Sequence, residues 1–266
     1  MRNCILVGFG IFCVVSSSSA AAFFTENFNS YADGSALTNQ GPWLATAAAV
    51  NPITNSVGRA HLNTSGQDAY AAFGAPVDAT VSGTSLYAGL TLNVVSAQAA
   101  GDYFFHLSNP AGTTTSFYER LFVRSSAGGF QLGLVDTSGT GSTITYGTGE
   151  FSLSTDYRIV VALNFVAGAN NDTFAVYVDP TDPSIEGNNT AYLTHTWTSA
   201  TVEPTAYAAV NLRQGSAANA AEVLVDDIAV SQTFSDVTVA QVPEPSSMAL
   251  AALGSLAMLC SLRRRK

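Results

Sequence analysis

The hydrophobic pattern between residues 23 and 236 has a period of two. Apolar side chains occupy every second position in Tyr157–Val166, and Ser85–Val95 repeats this alternation. Successive side chains of a β-strand point to opposite faces, so the pattern predicts strands with one buried face. Twelve segments are predicted as strands: Phe23–Phe28, Arg59–Asn63, Ala69–Phe73, Ser85–Val95, Tyr103–Ser108, Phe117–Arg124, Phe130–Asp136, Tyr157–Val166, Asp172–Asp179, Ala191–Trp197, Ala206–Arg213 and Glu222–Ser231.

Turn-forming sequences separate these segments, and this part of the chain has no sustained helical stripe. Residues 126–129 and 168–171 combine Gly, Ser, Ala and Asn between apolar runs. Many short strands with turns between them predict an all-β domain of two antiparallel sheets, packed as a sandwich. The alternation predicts a core containing Leu90, Leu92, Val161, Leu163, Val176 and Leu224.

The N-terminal 22 residues have the organisation of an export signal. Arg2 precedes an apolar run from Cys4 to Val15, and small residues follow it. Ala20 and Ala22 satisfy the small-residue rule for signal peptidase, which predicts cleavage before Phe23. The domain at residues 23–236 is therefore expected outside the cytoplasm.

The C-terminal end combines a short motif, an apolar run and a basic cluster. Pro243-Glu244-Pro245 lies in a linker assigned to residues 237–247, and Met248–Leu262 carries no charge. Fifteen helical residues span roughly 22 Å, somewhat less than the ~30 Å hydrocarbon core of a bilayer. We predict a transmembrane helix at residues 248–262 and a cytoplasmic tail at residues 263–266, because positive charge stays inside. The basic cluster is Arg263, Arg264, Arg265 and Lys266.

The order of these three parts resembles the PEP-CTERM sorting signal of exported bacterial proteins. The resemblance implies that Pro243, Glu244 and Pro245 are recognised by an exosortase, a membrane-embedded cysteine protease or transpeptidase. It also implies passage through the inner membrane, followed by release to the outer surface or the extracellular matrix. The alternative interpretation is an ordinary tail anchor.

Three stretches of the body resemble concanavalin A-like, laminin-G-like jelly rolls of bacterial surface proteins. Residues 24–31, followed by Asp33-Gly34, are similar to their opening strand. Residues 171–180 are similar to a strand that ends in an Asp-Pro loop, and residues 223–237 to the closing strand. The resemblance implies a jelly-roll fold and does not imply an activity.

Composition excludes several classes of function for the body. The three cysteines are Cys4, Cys13 and Cys260, so disulfides, thiol catalysis and cysteine-bound zinc are excluded between them. Residues 23–241 contain five arginines, no lysine and eighteen acids, which gives a formal charge of −13. Such a charge predicts no binding of nucleic acid or anionic lipid.

No catalytic residue is assigned from the sequence. The resemblance implies that glycan-cleaving relatives carry a Glu-x-Asp-x-x-Glu triplet on one strand, and this chain has none. Asp226 and Asp227 are neighbours, so a regular strand would point them to opposite faces, and Glu119 stands alone. The histidines, His61, His106 and His195, are far apart and form no pair with metal-ligand spacing.

No metal site or cofactor is predicted, but calcium remains open. Asp172 with Asn170 and Asn171, or Asp179 with Asp182, could supply the oxygen ligands that calcium prefers. In the alternative interpretation these side chains cap the backbone of their own loops.

Carbohydrate binding would require exposed aromatic rings. Trp43 and Trp197 are weak candidates for stacking on sugars, although tryptophans of a sandwich equally fill its core. The leading hypothesis is a non-enzymatic surface protein for adhesion or glycan contact, with polysaccharide as a possible partner. The alternative is a secreted glycan hydrolase or lyase, which a groove with two opposed carboxyl groups would favour.

Overall fold

The computed structural model of the chain describes residues 22–46, 50–137 and 142–239. Fifteen strands lie in this part of the chain, with one 3₁₀ turn at Glu186–Asn188 and one short helix, α1, at Ser235–Thr238. The strands are β1 Phe24–Glu26, β2 Trp43–Ala45, β3 Thr54–Asn55, β4 Ala60–Leu62, β5 Ala69–Asp78, β6 Ser85–Ser96, β7 Asp102–Ser108, β8 Phe117–Ser126, β9 Gly129–Thr137, β10 Thr145–Tyr146, β11 Asp156–Asn164, β12 Thr173–Val178, β13 Leu193–Thr196, β14 Ala206–Leu212 and β15 Glu222–Ser231.

Two antiparallel sheets form the predicted sandwich. The eight-stranded sheet has the order β13-β12-β11-β6-β15-β4-β3, and β1 pairs with β15 as well. The seven-stranded sheet has the order β10-β9-β8-β7-β14-β5-β2. Strands β5 and β6, β6 and β7, β13 and β14, and β14 and β15 follow each other in the chain but lie in opposite sheets. These crossings between the sheets give the body its jelly-roll topology.

Each of the twelve predicted segments contains a strand, whereas β2, β3 and β10 were not predicted. These three strands have only two or three residues each. A period of two is not detectable over so few positions. These segments are strands because neighbouring strands pair with them in the sheet.

The interior layer contains five of the six predicted core residues. Leu90, Leu92, Val161, Leu163 and Val176 are at most 1% exposed. Leu224 was wrongly assigned to the core: it is half-buried, and its neighbours Val223 and Val225 point inward instead. With a period of two, turning Leu224 inward would also bury the Asp226 carboxylate among apolar side chains, which is more costly than exposing a leucine.

A C-terminal strap, residues 233–239, crosses the outer face of the eight-stranded sheet. Phe234 and Val237 join an apolar cluster that includes Tyr87 and Tyr177. The Arg158 guanidinium donates hydrogen bonds to the Val237 carbonyl, at 2.9 Å from Nε, and to the Asp227 carbonyl at 2.8 Å.

The strap approaches the sheet closely at a glycine. A Cβ atom at Gly89 would lie 2.1 Å from the Val237 carbonyl oxygen, so the absence of a side chain there permits the contact. Val237 and Thr238, which the sequence placed in the linker, are therefore buried parts of the body.

The predicted export signal and sorting tail fall almost entirely on residues 1–21 and 240–266, outside the described residues. Within the described ranges, no helix is long and apolar enough to cross a membrane.

Candidate ligand-binding face

The outer face of the seven-stranded sheet carries an unusual set of polar and aromatic side chains. We call it the seven-strand face. Tyr70, Asn211 and His106 form one row across it, because Tyr70 pairs with Asn211 and Asn211 pairs with His106 in the ladder. Register irregularities between Tyr103 and Leu107 bring the Tyr103 and His106 rings to the same side, 5.5 Å apart. Such irregularities re-aim side chains that regular alternation would separate.

A cavity of about 230 Å³ opens beside this row. Its lining residues are Thr46, Asp68, His106, Thr114, Phe117 and Asn211. Cavities for drug-sized ligands typically measure ~300–1,000 Å³, so this one suits a single small ring or substituent of a larger molecule.

Two buried polar groups in this cavity have no hydrogen-bond partner among the described residues. Both ring nitrogens of His106 are unpartnered, and the side chain is 3% exposed. Asn211 is 1% exposed; its Nδ2 donates to Ser108 Oγ at 2.9 Å, but its Oδ1 accepts nothing. An unsatisfied buried polar group costs about 1–3 kcal/mol, so both groups favour a partner supplied by a ligand.

The His106 imidazole is neutral at physiological pH. Burial, together with the positive charges of Arg213 and Arg120, lowers its pKa to about 3. A neutral imidazole presents one N–H donor and one acceptor nitrogen. Together with the Asn211 oxygen, the cavity therefore offers donors and acceptors in combination, which is what a hydroxyl group can satisfy.

An aromatic ring and a carboxyl group complete the cavity. The Phe117 ring lies 4.5 Å from the imidazole, centroid to centroid. Asp68 Oδ1 accepts the Gln214 backbone N–H at 2.8 Å, and burial raises the pKa of this carboxyl group. Apolar ring atoms beside a few fixed polar groups are the usual composition of a small-molecule site.

Three arginines extend the seven-strand face beyond the cavity. Arg120 and Arg213 both contact the Tyr103 ring, with their Cζ atoms 4.9 Å and 4.1 Å from its centroid. Arg213 also forms an ion pair with Asp102 at 2.7 Å. Arg124 lies 3.8 Å from the centroid of the Tyr146 ring.

The Tyr146 ring rests directly on the sheet because residue 133 is a glycine. A Cβ atom there would lie 2.7 Å from the ring atoms of Tyr146. Arg124 in turn donates from Nε and from one terminal nitrogen to Gln131 Oε1, at 3.0 Å and 2.8 Å. The guanidinium is thus oriented by an aromatic ring and a neutral amide rather than by a carboxylate.

The two tryptophans considered for sugar stacking do not lie on this face. Trp43 is 0% exposed; its Nε1 donates to Glu26 Oε2 at 3.0 Å, and its ring stacks on Phe28. Trp197 is 4% exposed and donates to the Thr201 carbonyl at 3.0 Å. The expectation for these residues is wrong because both indoles satisfy their N–H inside the protein and present no ring face to solvent.

The three carboxylates considered for calcium accept backbone N–H groups, whereas the side-chain oxygens of Asn170 and Asn171 have no hydrogen-bond partner among the described residues. Asp182 Oδ1 accepts the Ser184 backbone N–H at 2.9 Å, and Asp179 Oδ1 accepts that of Arg158 at 2.7 Å. Asp172 Oδ1 accepts the Val166 N–H at 2.7 Å. Within the described ranges, no three His, Cys, Asp or Glu side chains are grouped to hold a metal ion. The contacts of Asp172 and Asp182 fit the alternative interpretation, in which these side chains cap the backbone of their own loops.

A second cavity, of about 210 Å³, contains two carboxyl groups, Asp172 and Glu203. Glu203 Oε1 accepts the backbone N–H groups of Asn171 and Asp172, the latter at 2.8 Å. Both carboxyl groups therefore hold the loop at residues 166–172 in place. One oxygen of each carboxyl group is thus occupied by backbone N–H groups.

The remaining candidate residues are dispersed. Glu119 is buried, accepts the Tyr207 hydroxyl at 2.8 Å, and burial raises its pKa well above the ordinary value. His61 contacts Glu222 at 2.9 Å on the other sheet, and His195 lies 3.6 Å from Asp136 in the interior. His106 lines the cavity of the seven-strand face, and its isolated position in the sequence carried no signal of this. Ala20, Pro243, Glu244, Pro245, Arg263, Arg264 and Arg265 lie outside the described residues.

The C-terminal residues match a known family model. Residues 241–266 match the PEP-CTERM protein-sorting motif, so the chain ends in this motif, as its sequence predicted. The motif indicates an exported protein that is sorted through processing at the membrane, and it implies an exosortase as the processing enzyme. A search of curated protein sequences finds no match to the chain.

Solved structures with a similar arrangement of strands are distant in sequence. An endo-β-1,4-glucuronan lyase from the fungus Trichoderma reesei is 10% identical, with 82% of this chain and 98% of that chain covered and a TM-score of 0.43. The CBM2 module of the evolved Dit of Lactobacillus casei BL23 phage J-1 is 11% identical, with 79% and 94% covered and a TM-score of 0.47. The carbohydrate recognition domain of Emp47p is 14% identical, with 80% and 97% covered and a TM-score of 0.46. At TM-scores below 0.5, these similarities carry no argument about ligand or activity.

Proposed function

We propose that the protein is an exported, exosortase-processed component of the cell surface or extracellular matrix that binds glycan without cleaving it. The observation that carries the binding half is the cavity at His106 and Asn211. Its unsatisfied donor and acceptor groups beside an aromatic ring match the chemistry of a sugar, which combines hydroxyl groups with an apolar ring face.

The sorting half rests on the C-terminal motif. Prolines stand before and after Glu244, and proline disfavours a regular helix, so we expect the motif to be recognised in an extended form. A protease cleft reads an extended segment more readily than a helix. The basic residues that follow the apolar run keep the end of the chain in the cytoplasm and set the orientation.

Substitutions in the motif test the sorting half. We expect Glu244→Ala, or replacement of both Pro243 and Pro245, to leave the protein exported but retained in the membrane. Fractionation and the mass of the mature C-terminus, in cells with and without an exosortase, provide the measurement. The same membrane-bound species ending at Lys266 in both strains would show that the tail is an ordinary anchor.

Substitutions in the cavity test the binding half. A glycan array probed with and without calcium identifies ligands, and His106→Ala and Asn211→Ala should each weaken their binding by roughly tenfold or more, since one hydrogen-bonded pair contributes about 1–3 kcal/mol. His61→Ala, on the other sheet, is the matched control and should retain binding. Equal binding by all three variants would place the site elsewhere.

The placement of the acidic residues supports the proposal that the protein binds glycan without cleaving it. The cavity at His106 is lined by one carboxyl group, Asp68, and the pair at Asp172 and Glu203 is occupied by backbone N–H groups. Incubation of array-positive glycans with the protein should release no new reducing or unsaturated ends. Release that is lost in His106→Ala would favour the hydrolase or lyase instead.

A further inference from the structure

The five arginines of the body are unevenly distributed over the sandwich. On the eight-stranded side, Arg59 forms a two-bond ion pair with Asp156, at 2.8 Å and 2.7 Å. On the same side, Arg158 is engaged by the backbone carbonyls of the strap. The other three, Arg120, Arg124 and Arg213, all lie on the seven-strand face. A body with a formal charge of −13 thus gathers most of its positive charge on one surface.

These three charges are poorly neutralised. Arg213 pairs with Asp102, whereas Arg120 and Arg124 have no ion-pair partner among the described residues. Burial lowers the pKa of Arg120, and the charge of Arg213 lowers it further. Two guanidinium groups near one tyrosine ring repel each other, so an anion that contacts either of them is stabilised.

The nearby acids oppose an anion only in part. Asp102 is engaged by Arg213, and Asp68 Oδ1 already accepts the Gln214 backbone N–H at 2.8 Å. Acids that lie farther away than the Debye length, about 8 Å at physiological ionic strength, are largely screened from this face. The affinity of the seven-strand face for an anion therefore depends on the charged groups near that face and not on the net charge of the body.

The spacing of the arginines favours a polymer over a small anion. Arg120 and Arg124 are four residues apart on β8, and both extend from the same face. Four residues of strand span ~13 Å, which exceeds the size of a single carboxylate group. A chain with repeated negative charges can contact both positions at once, and planar guanidinium groups bind carboxylates through paired hydrogen bonds.

We infer that the ligand of the seven-strand face is an anionic, carboxylate-bearing polysaccharide. The inference rests on the proposed glycan binding. Hydroxyl groups of one sugar unit occupy the cavity at His106 and Asn211, and carboxylates along the polymer contact Arg120, Arg213 and Arg124. The cavity provides binding to a glycan, and the arginines provide the preference for its charged form.

Polygalacturonate and its fully methyl-esterified form provide the test, because they share a backbone and differ in charge. Binding to the intact mature protein is measured by calorimetry in the presence of a chelator, so that calcium bridges do not contribute. We expect polygalacturonate to bind about tenfold tighter or better than the ester, and the difference to shrink as salt is added. Monomeric galacturonate should bind much more weakly than the polymer.

Arginine variants locate the preference for charge. Arg213→Gln and Arg124→Gln should each weaken polygalacturonate binding by several-fold and leave binding of the ester unchanged. Arg59→Gln, which removes a charge from the other sheet, is the matched control and should change neither. Arg124 has no acid partner among the described residues, so its variant leaves no unpaired carboxylate and stays informative if Arg213→Gln is unstable.

The outcomes separate this inference from the proposed function. Equal binding of the acid and the ester, abolished by His106→Ala, would overturn the anionic ligand and retain glycan binding. In a second outcome, Arg59→Gln removes the preference for the acid, whereas Arg124→Gln and Arg213→Gln retain it. This result would place the recognition of charge on the other face. Absence of binding to either polymer and to every glycan on the array would overturn both proposals.

Discussion

The two outer faces of the sandwich are both surfaces of pleated sheets, but they differ in how the rest of the chain packs on them. The outer face of the eight-stranded sheet is covered by the C-terminal strap, with Phe234 and Val237 packed on it and Arg158 bonded to its backbone. The seven-strand face carries a smaller apolar cluster, in which Phe117 and Tyr146 pack on Tyr103, Phe122 and Val135, and it also presents a cavity and three arginines. One face is used for the protein's own folding, and the other is available for a ligand.

The two faces also differ in their position relative to the C-terminal end of the body. The last described residue, Val239, ends the strap and therefore lies on the eight-stranded side. Any attachment through the C-terminus begins there, on the side opposite the cavity at His106. Attachment of the protein and exposure of the candidate site are compatible for this reason.

The largest expected effect concerns the interior that separates the two faces. Leu163→Ala should lower the free energy of unfolding by about 2–5 kcal/mol, because its side chain is fully buried between the sheets. Leu224→Ala, a matched change on the outer side of β15, should cost clearly less. Urea unfolding of both variants gives the comparison. A loss below about 0.5 kcal/mol for Leu163→Ala would mean that the inner and outer faces are wrongly assigned.

An intermediate effect is expected where the strap is held. Arg158→Met keeps much of the side-chain volume but removes the hydrogen bonds to the Val237 and Asp227 carbonyls. Hydrogen bonds to charged groups contribute about 1.5–3 kcal/mol each, and the methionine recovers part of the loss by burial, so we expect a net cost of about 2–4 kcal/mol. Urea unfolding and protease cleavage within residues 233–239 provide the measurement.

Arg59→Met is the control for this prediction. It removes an arginine from the same sheet, but its ion pair with Asp156 is solvent-accessible and should contribute at most about 1 kcal/mol. Equal costs for the two variants, with no increase in cleavage of the strap, would show that Arg158 does not hold it.

The smallest effect is a pH dependence on the eight-stranded side. Burial raises the pKa of Asp226 to about 6, and repulsion from Asp227 contributes. Since an aspartate in an unfolded chain has a pKa of ~3.9, Asp226 binds its proton more tightly when folded. Its contribution to stability is therefore fully present below about pH 4 and is lost as the pH rises through 6.

Asp226→Asn tests this dependence, because the amide oxygen can still accept the Asp227 backbone N–H. The variant should equal the wild type near pH 4 and exceed it at pH 7 by on the order of 1–2 kcal/mol, allowing for partial solvent screening. Unfolding free energies across this range provide the measurement. Glu150→Gln, which changes the net charge equally, should not reproduce the effect, and a pH-independent difference for Asp226→Asn would contradict the assignment.

The alternation of apolar residues was sufficient to predict twelve of the fifteen strands, and it failed where it was ambiguous. In β15 both Leu224 and its valine neighbours are apolar, so the alternation allows either Leu224 or the valines to face the core. The position of Asp226 decides between the two, because it shares a face with Leu224. Trp43 and Trp197 were ambiguous for a related reason, since an indole is suited both to a sugar platform and to a core. Only the positions of Glu26 and the Thr201 carbonyl, far from obvious in the sequence, show that both indoles are satisfied internally.

The sequence by itself determined the features that are local or additive. Alternation over ten residues predicts a strand, the order of motif, apolar run and basic cluster predicts a sorting tail, and net charge is a sum over residues. The tertiary structure decided the features that depend on residues distant in the chain. His106 and Asn211 are 105 positions apart and become neighbours through the pairing of β7 with β14. The three arginines share a face because β8 and β14 flank β7, so a strongly acidic body acquires a basic surface that no local pattern could predict.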